Sequence, residues 1–200
     1  TSQCTEAEDR LFEAQNTDSE LAQQYDTLVT FDPDITASEF QEKVREVEAI
    51  DAPSRDELDR LRTDRRQKKN VKDARQAEYD VAKSEYDDAV AAREAASGDE
   101  RAAQQDEVRR TQAAHDTAKA ALEQAQTAYD SSEANYSTGF HTAMDKAVYT
   151  RLFESVPVGD RRSDSRVAER LEGGCEALRM ELATQQRDAH NRCDLLQLRV

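Results

Sequence analysis

Apolar residues recur along this chain at alternating steps of three and four, the spacing that lines one side of an α-helix. Cys4, Ala7, Leu11, Ala14, Asp18, Leu21, Tyr25 and Leu28 form the first such seam, with Asp18 its one polar member. Pro33, within Thr30-Phe-Asp-Pro-Asp34, ends that helix, because proline offers no N–H and restricts the residue before it. Thr36-Ala-Ser-Glu39 is a capping box, and Phe40, Val44, Val47 and Ile50 follow it on one face. Asp51-Ala-Pro53 then interrupts, and Ser54-Arg-Asp-Glu57 is a second capping box, predicting a short break or kink before the helix resumes.

From Ser54 the seam changes character. Leu58 and Leu61 are followed at seam positions by Arg65, Lys68, Lys72 and Arg75, and then by Tyr79, Ala82, Tyr86 and Ala89. Ser97-Gly98-Asp99 is the clear break in about a hundred residues and predicts the tip of a helical hairpin. The return arm is rich in alanine: Val108, Ala118, Leu122, Ala125, Tyr129 and Tyr136 share its seam with Thr111 and His115. After Gly139 the seam grows heavier, with Phe140, Met144, Ala147, Val148, Leu152, Phe153 and Val156, which calls for more than one partner helix. A turn at Pro157–Arg162 precedes a last helix carrying Val167, Leu171, Cys175, Leu178, Leu182, Gln185, Ala189 and Leu196 on one face. Gly173-Gly174 inside it marks a bend or a close approach, at a cost of about 1 kcal/mol per glycine in helix stability.

Helix lengths suggest a topology. At 1.5 Å per residue the arm from 36 to 96 is roughly 90 Å long, while the first and last helices reach roughly 40 and 50 Å. If both terminal helices start from one end of the hairpin, the fold is all-α. It is then a single elongated domain over 1–200: an antiparallel bundle with four helices at its base (4–60 and 140–198) and a projecting two-helix coiled-coil hairpin (61–139, tip at 97–99). The same counting puts Cys4 and Cys193 at one level and predicts a disulfide between them, with Cys175 unpaired. The competing reading is three buried thiols acting as small hydrophobes.

Composition narrows the function classes. Charged and hydrophobic residues each make up 36% of the 200-residue chain, so there is little material for a thick core. A net charge of −15 argues against a nucleic-acid partner, which needs a basic surface. No apolar run approaches the roughly 18 residues of a membrane span. The first residues carry no signal-peptide pattern, as expected equally of a trimmed chain and of one never exported.

Against that acidic background stand Arg60, Arg62, Arg65, Arg66, Lys68, Lys69, Lys72 and Arg75, with only Asp64 and Asp73 among them. As a basic collar they fit an anionic partner, a protein or a cell-envelope polymer. The plainer reading is a solvated coiled-coil segment paired with Glu123, Asp130 and Glu133. The tip, Ser97, Gly98 and Asp99, is the other natural contact point. His115, His141 and His190 lie far apart, and no phosphate loop, nucleophile elbow or zinc signature is present, so no catalytic residue, metal or cofactor is expected. Asn135-Tyr-Ser137 matches an acceptor sequon but falls within a helical stretch.

Gln76-Ala-Glu-Tyr79 and Gln124-Ala-Gln-Thr-Ala-Tyr129 resemble in composition the helical hairpins of bacterial efflux adaptor proteins. The β-rich lipoyl halves and the Arg/Leu/Ser tip signature of those adaptors are missing from this chain. The elongated, disulfide-tied plan is also similar to trypanosome surface receptors, without a shared motif. The expectation is therefore set by the residues: a non-enzymatic, extracytoplasmic helical rod that binds a macromolecule, most naturally a protein at a cell surface or envelope. The alternatives are a cytoplasmic coiled-coil scaffold or oligomerisation module with reduced cysteines, and a helical accessory domain of a larger enzyme.

Overall fold

The structure, a computed structural model, describes residues 2–198, with side chains from Glu6 onward. Among the described residues it is all-helical, without a strand. The helices are α1 (Ser2–Thr30), α2 (Ala37–Ala49), α3 (Arg55–Ala95), α4 (Glu100–Glu154) and α5 (Asp164–Gln197), with a 3-10 turn at Val158–Asp160.

Both capping boxes form. The Glu39 amide donates to Thr36 Oγ1 (3.2 Å) and the Thr36 amide to Glu39 Oε2 (2.7 Å). Likewise the Glu57 amide donates to Ser54 Oγ (3.3 Å) and the Ser54 amide to Glu57 Oε2 (2.7 Å). Asp164 adds a second carboxylate at the start of α2, accepting from the Ala37 amide at 2.8 Å. At the other end of α2, Lys146 Nζ donates to the Ile50 carbonyl (2.6 Å), a cation where the helix dipole is negative. The break at 50–54 is thus held on both sides. At the hairpin tip Gly98 takes φ +61°, a left-handed turn that a side chain would strain.

The chain divides into two compact units: Thr1–Pro53 with Gly139–Val200, and Ser54–Thr138. The first unit holds the heavy core. Leu28 of α1, Phe40 and Val47 of α2, Val148, Leu152 and Phe153 of α4, and Val167, Leu171 and Leu182 of α5 bury in one cluster. Phe40 meets Phe153 edge-on at 5.3 Å, and Tyr149 stacks on Phe153 at 6.2 Å. Each fully buried large side chain contributes roughly 1.5–3 kcal/mol. The buried Thr27 hydroxyl donates to Asp145 at 2.6 Å, and Arg151 grips Glu181 at 2.6 Å, tying α4 to α1 and α5.

α1 and α5 do not start from a common level, as the counting from sequence assumed. Ala14 and Leu21 share a groove with Gln185, Ala189 and Arg192, so α5 begins well before the point where α1 ends. The six residues between Thr30 and Ala37, which can span up to about 20 Å, make up that offset. Cys193 accordingly faces the Ala14–Asp18 turn, and Asp18 helps push its thiol up. The disulfide expected from the sequence would join Cys193 to Cys4. The side chain of Cys4 lies outside the described residues. No disulfide is present among the described residues, and Cys175 and Cys193 are both free, buried thiols.

α5 runs unbroken through Gly173-Gly174, so the pair does not end the helix. A Cβ on Gly174 would lie 2.5 Å from Ser155 Oγ and 3.0 Å from Ser155 Cβ, whereas one on Gly173 would meet nothing within 4 Å. Gly173→Ala is therefore expected to stabilise the protein by about 0.5–1 kcal/mol, and Gly174→Ala to destabilise it by about 1–3 kcal/mol through overpacking. Urea unfolding of the two variants separates the outcomes; equal effects would contradict the Ser155 contact.

The caps also set a pH dependence. Backbone N–H groups of Thr36 and Ser54, then their hydroxyls, hold Glu39 and Glu57 below the usual carboxylate range. A lowered folded value means the stabilisation is complete above the ordinary value of about 4.3 and is lost as pH falls through the folded one. The amide resonances of Thr36 and Ser54 are expected to titrate with midpoints below that of an unstructured glutamate.

Candidate functional site

The unit Ser54–Thr138 is a two-helix hairpin whose seam explains where the basic segment goes. Arg65 lies with its guanidinium 4.4 Å from the Tyr136 ring and 3.4 Å from Glu133. Seven residues on, the Lys72 ammonium sits 4.7 Å from the Tyr129 ring, seven residues back along α4. Two heptads further, Tyr86 stacks on His115 at 5.6 Å, again in step. Antiparallel helices matched heptad for heptad thus place cations on tyrosine faces and a histidine between Tyr79 and Tyr86. Such cation–ring contacts contribute about 0.5–1 kcal/mol each when partly exposed.

Arg62 is buried, at 7% exposure, paired with Asp59 at 2.7 Å and 6.0 Å from Tyr136. Lys68 and Arg75, expected on the seam, are instead exposed. Arg75 pairs with Glu78 at 2.6 Å and Lys69 with Asp73 at 2.5 Å, both within α3. The Lys69 ammonium and Asp73 carboxylate hold each other charged, raising one pKa and lowering the other. Of the α4 carboxylates expected to balance the collar, Glu133 does so. Asp130 accepts instead from Gln126, while Asp64 of α3 accepts from the buried Ser132 hydroxyl at 2.6 Å. The collar therefore divides. Arg62, Arg65 and Lys72 face α4, Lys69 and Arg75 are ion-paired along α3, and Arg60, Arg66 and Lys68 stand exposed.

The role of the ring faces was missed in reading the sequence. Its signal was there: Tyr129 and Tyr136 are spaced like Lys72 and Arg65 and run opposite to them.

Ser97, Gly98 and Asp99 are exposed in the turn, whose exit is tied by Arg101 N–H to Gly98 (3.2 Å) and Ala102 N–H to Asp99 (3.3 Å). His141 packs edge-on against Phe140, and His190 lies 3.8 Å from Asp194. Among the described residues no group of three or more His, Cys, Asp or Glu could hold a metal ion. Burial pushes both thiols up, Cys193 further through Asp18 and Asp194, so each is held protonated and is a poor nucleophile. No described helix is long and apolar enough to cross a membrane.

The seam contacts give a direct test. Tyr129→Leu is expected to lower stability by about 0.5–1 kcal/mol relative to Tyr129→Phe, which keeps the ring face. In the Lys72→Met background that difference should vanish, as a double-mutant cycle would report.

No protein-family model matches the chain, and no curated protein or solved structure matches it.

Proposed function

We propose that the chain is a non-enzymatic helical rod that binds a macromolecular partner, a protein or an anionic polymer, at a cell surface or in an envelope, outside the cytoplasm. In this reading the heavy-cored unit is a four-helix base and the hairpin projects from it as a coiled coil. The observation that carries the reading is the hairpin's build. Its seam is held by cation–ring and ion-pair contacts, while Arg60, Arg66, Lys68 and the tip turn remain exposed on long helical sides. Ordered helices that present charge at fixed spacing suit recognition of a complementary surface.

Two free, buried thiols favour a second reading, a cytoplasmic scaffold or oligomerisation module. Intact mass of protein from its native source, with and without reductant, distinguishes the two locations. A two-dalton shift per bridge is expected for an oxidised chain, and three free thiols would remove the cysteine argument for export. For the contact itself, Arg66→Glu with Lys68→Glu should weaken capture of the native partner about tenfold or more. Unchanged capture would leave the collar as solvated surface.

A further inference from the structure

Of the four asparagines in the chain, Asn135 alone is followed two residues on by serine or threonine. It is exposed on α4, whereas the next residue, Tyr136, is buried at 7% exposure against Arg65. Heptad spacing explains the contrast. Ser132 and Tyr136 occupy the seam, so Glu133 and Asn135 fall on opposite flanks of it. The Glu133 flank is engaged, with Arg65 at 3.4 Å and the Tyr129 hydroxyl at 3.1 Å.

The Asn135 flank carries small residues. Ala114, Ala121 and Ala128 hold the same position in the three preceding heptads, and exposed Ser131 and Thr138 lie one turn to either side. From 131 to 144 Glu133 is the only Asp, Glu, Lys or Arg, in a chain where such residues make up 36%. Helical amides elsewhere reach a carboxylate one turn on: Gln126 donates to Asp130 at 2.6 Å and Gln76 to Asp80 at 2.9 Å. Asn135 has Ser131 and Gly139 at those distances along the helix, and among the described residues its side-chain amide has no hydrogen-bond partner. An amide that faces solvent among small, uncharged neighbours leaves room for a bulky polar substituent and gives up no contact to carry it.

We propose that Asn135 is an N-glycosylation acceptor, modified while the chain is still unfolded. The inference rests on the reading that the chain is exported. The co-reactant is an oligosaccharide carried on a polyprenyl pyrophosphate. Asn135 Nδ2 forms a bond to the anomeric carbon of the first sugar, and the carbon–oxygen bond to the pyrophosphate breaks. The lipid pyrophosphate leaves, and an amide proton passes to a base of the transferase. That enzyme reads the asparagine together with the hydroxyl two residues on. In α4 the two side chains leave the axis about 200° apart, and Ser137 is partly buried, so the finished helix cannot present both to one active site. The extended chain can. After folding, the sugar stands on the small-residue flank, clear of the seam and of the Glu133 contacts.

The full chain, expressed behind a cleavable leader in a eukaryotic secretory host, tests this. Peptide N-glycosidase is expected to remove one glycan and to leave aspartate at 135 in the peptide map. Asn135→Gln should abolish the modification with unchanged helical circular dichroism, Ser137→Ala should also abolish it, and Ser137→Thr should retain it. A secreted parent chain with unmodified Asn135, or a glycan that survives Asn135→Gln, overturns the proposal. Folded chain from cells without the transferase, given oligosaccharyltransferase and its lipid donor, should stay unmodified; transfer to it overturns the stated order of modification and folding. Peptide mapping of protein from its native source reads export separately. Unmodified Asn135 there, beside a modified secreted chain, would remove the export reading and leave the acceptor standing.

Discussion

The stacking of Arg65 and Lys72 on Tyr136 and Tyr129 is the contact that lets a basic helix lie in a two-helix seam. A cation buried without a partner is costly, and water would compete for it in a hairpin this thin. A ring face accepts the charge while the aliphatic stem packs along the helix, so the layer excludes water much as a leucine pair would. The same heptad register then places His115 between Tyr79 and Tyr86, and alanines at Ala82, Ala89 and Ala125 where the helices approach closely. Each ring face contributes about 0.5–1 kcal/mol to holding the basic segment in the seam.

The other unit solves a different problem with the same scarce apolar supply. Each helix offers one narrow stripe, and four of them converge on Phe40 and Phe153. Helix ends in this unit are satisfied by side chains from distant helices, Asp164 on α2's start and Lys146 on its end. Those contacts fix where the short α2 sits, and with it the level at which α5 begins. The Gly174–Ser155 approach follows from that placement: α5 passes so close to the end of α4 that no side chain fits.

The Cys175 and Cys193 thiols are held protonated by burial, and among the described residues no group of His, Cys, Asp or Glu could hold a metal. The exposed sides of the helices are charged along their length. Within the basic segment the tertiary contacts separate structural cations from exposed ones, a distinction with direct bearing on which residues a partner could reach.

Local and periodic features were legible in the chain. The two capping boxes, the proline breaks, the Ser97-Gly98-Asp99 turn and the heavy seam from Phe140 to Val156 depend on residues within a turn or two of each other, so the sequence by itself determined them. What needed the tertiary structure were the offsets between helices. The level of α5 against α1, which sets Cys193 opposite the Ala14–Asp18 turn, depends on a six-residue segment whose path no periodicity encodes. The division of the collar depends likewise on which residue of α4 lies across from each cation. Rise per residue is a property of the backbone, but relative sliding of two helices is decided by side chains far apart in the chain, and only their packing settles it.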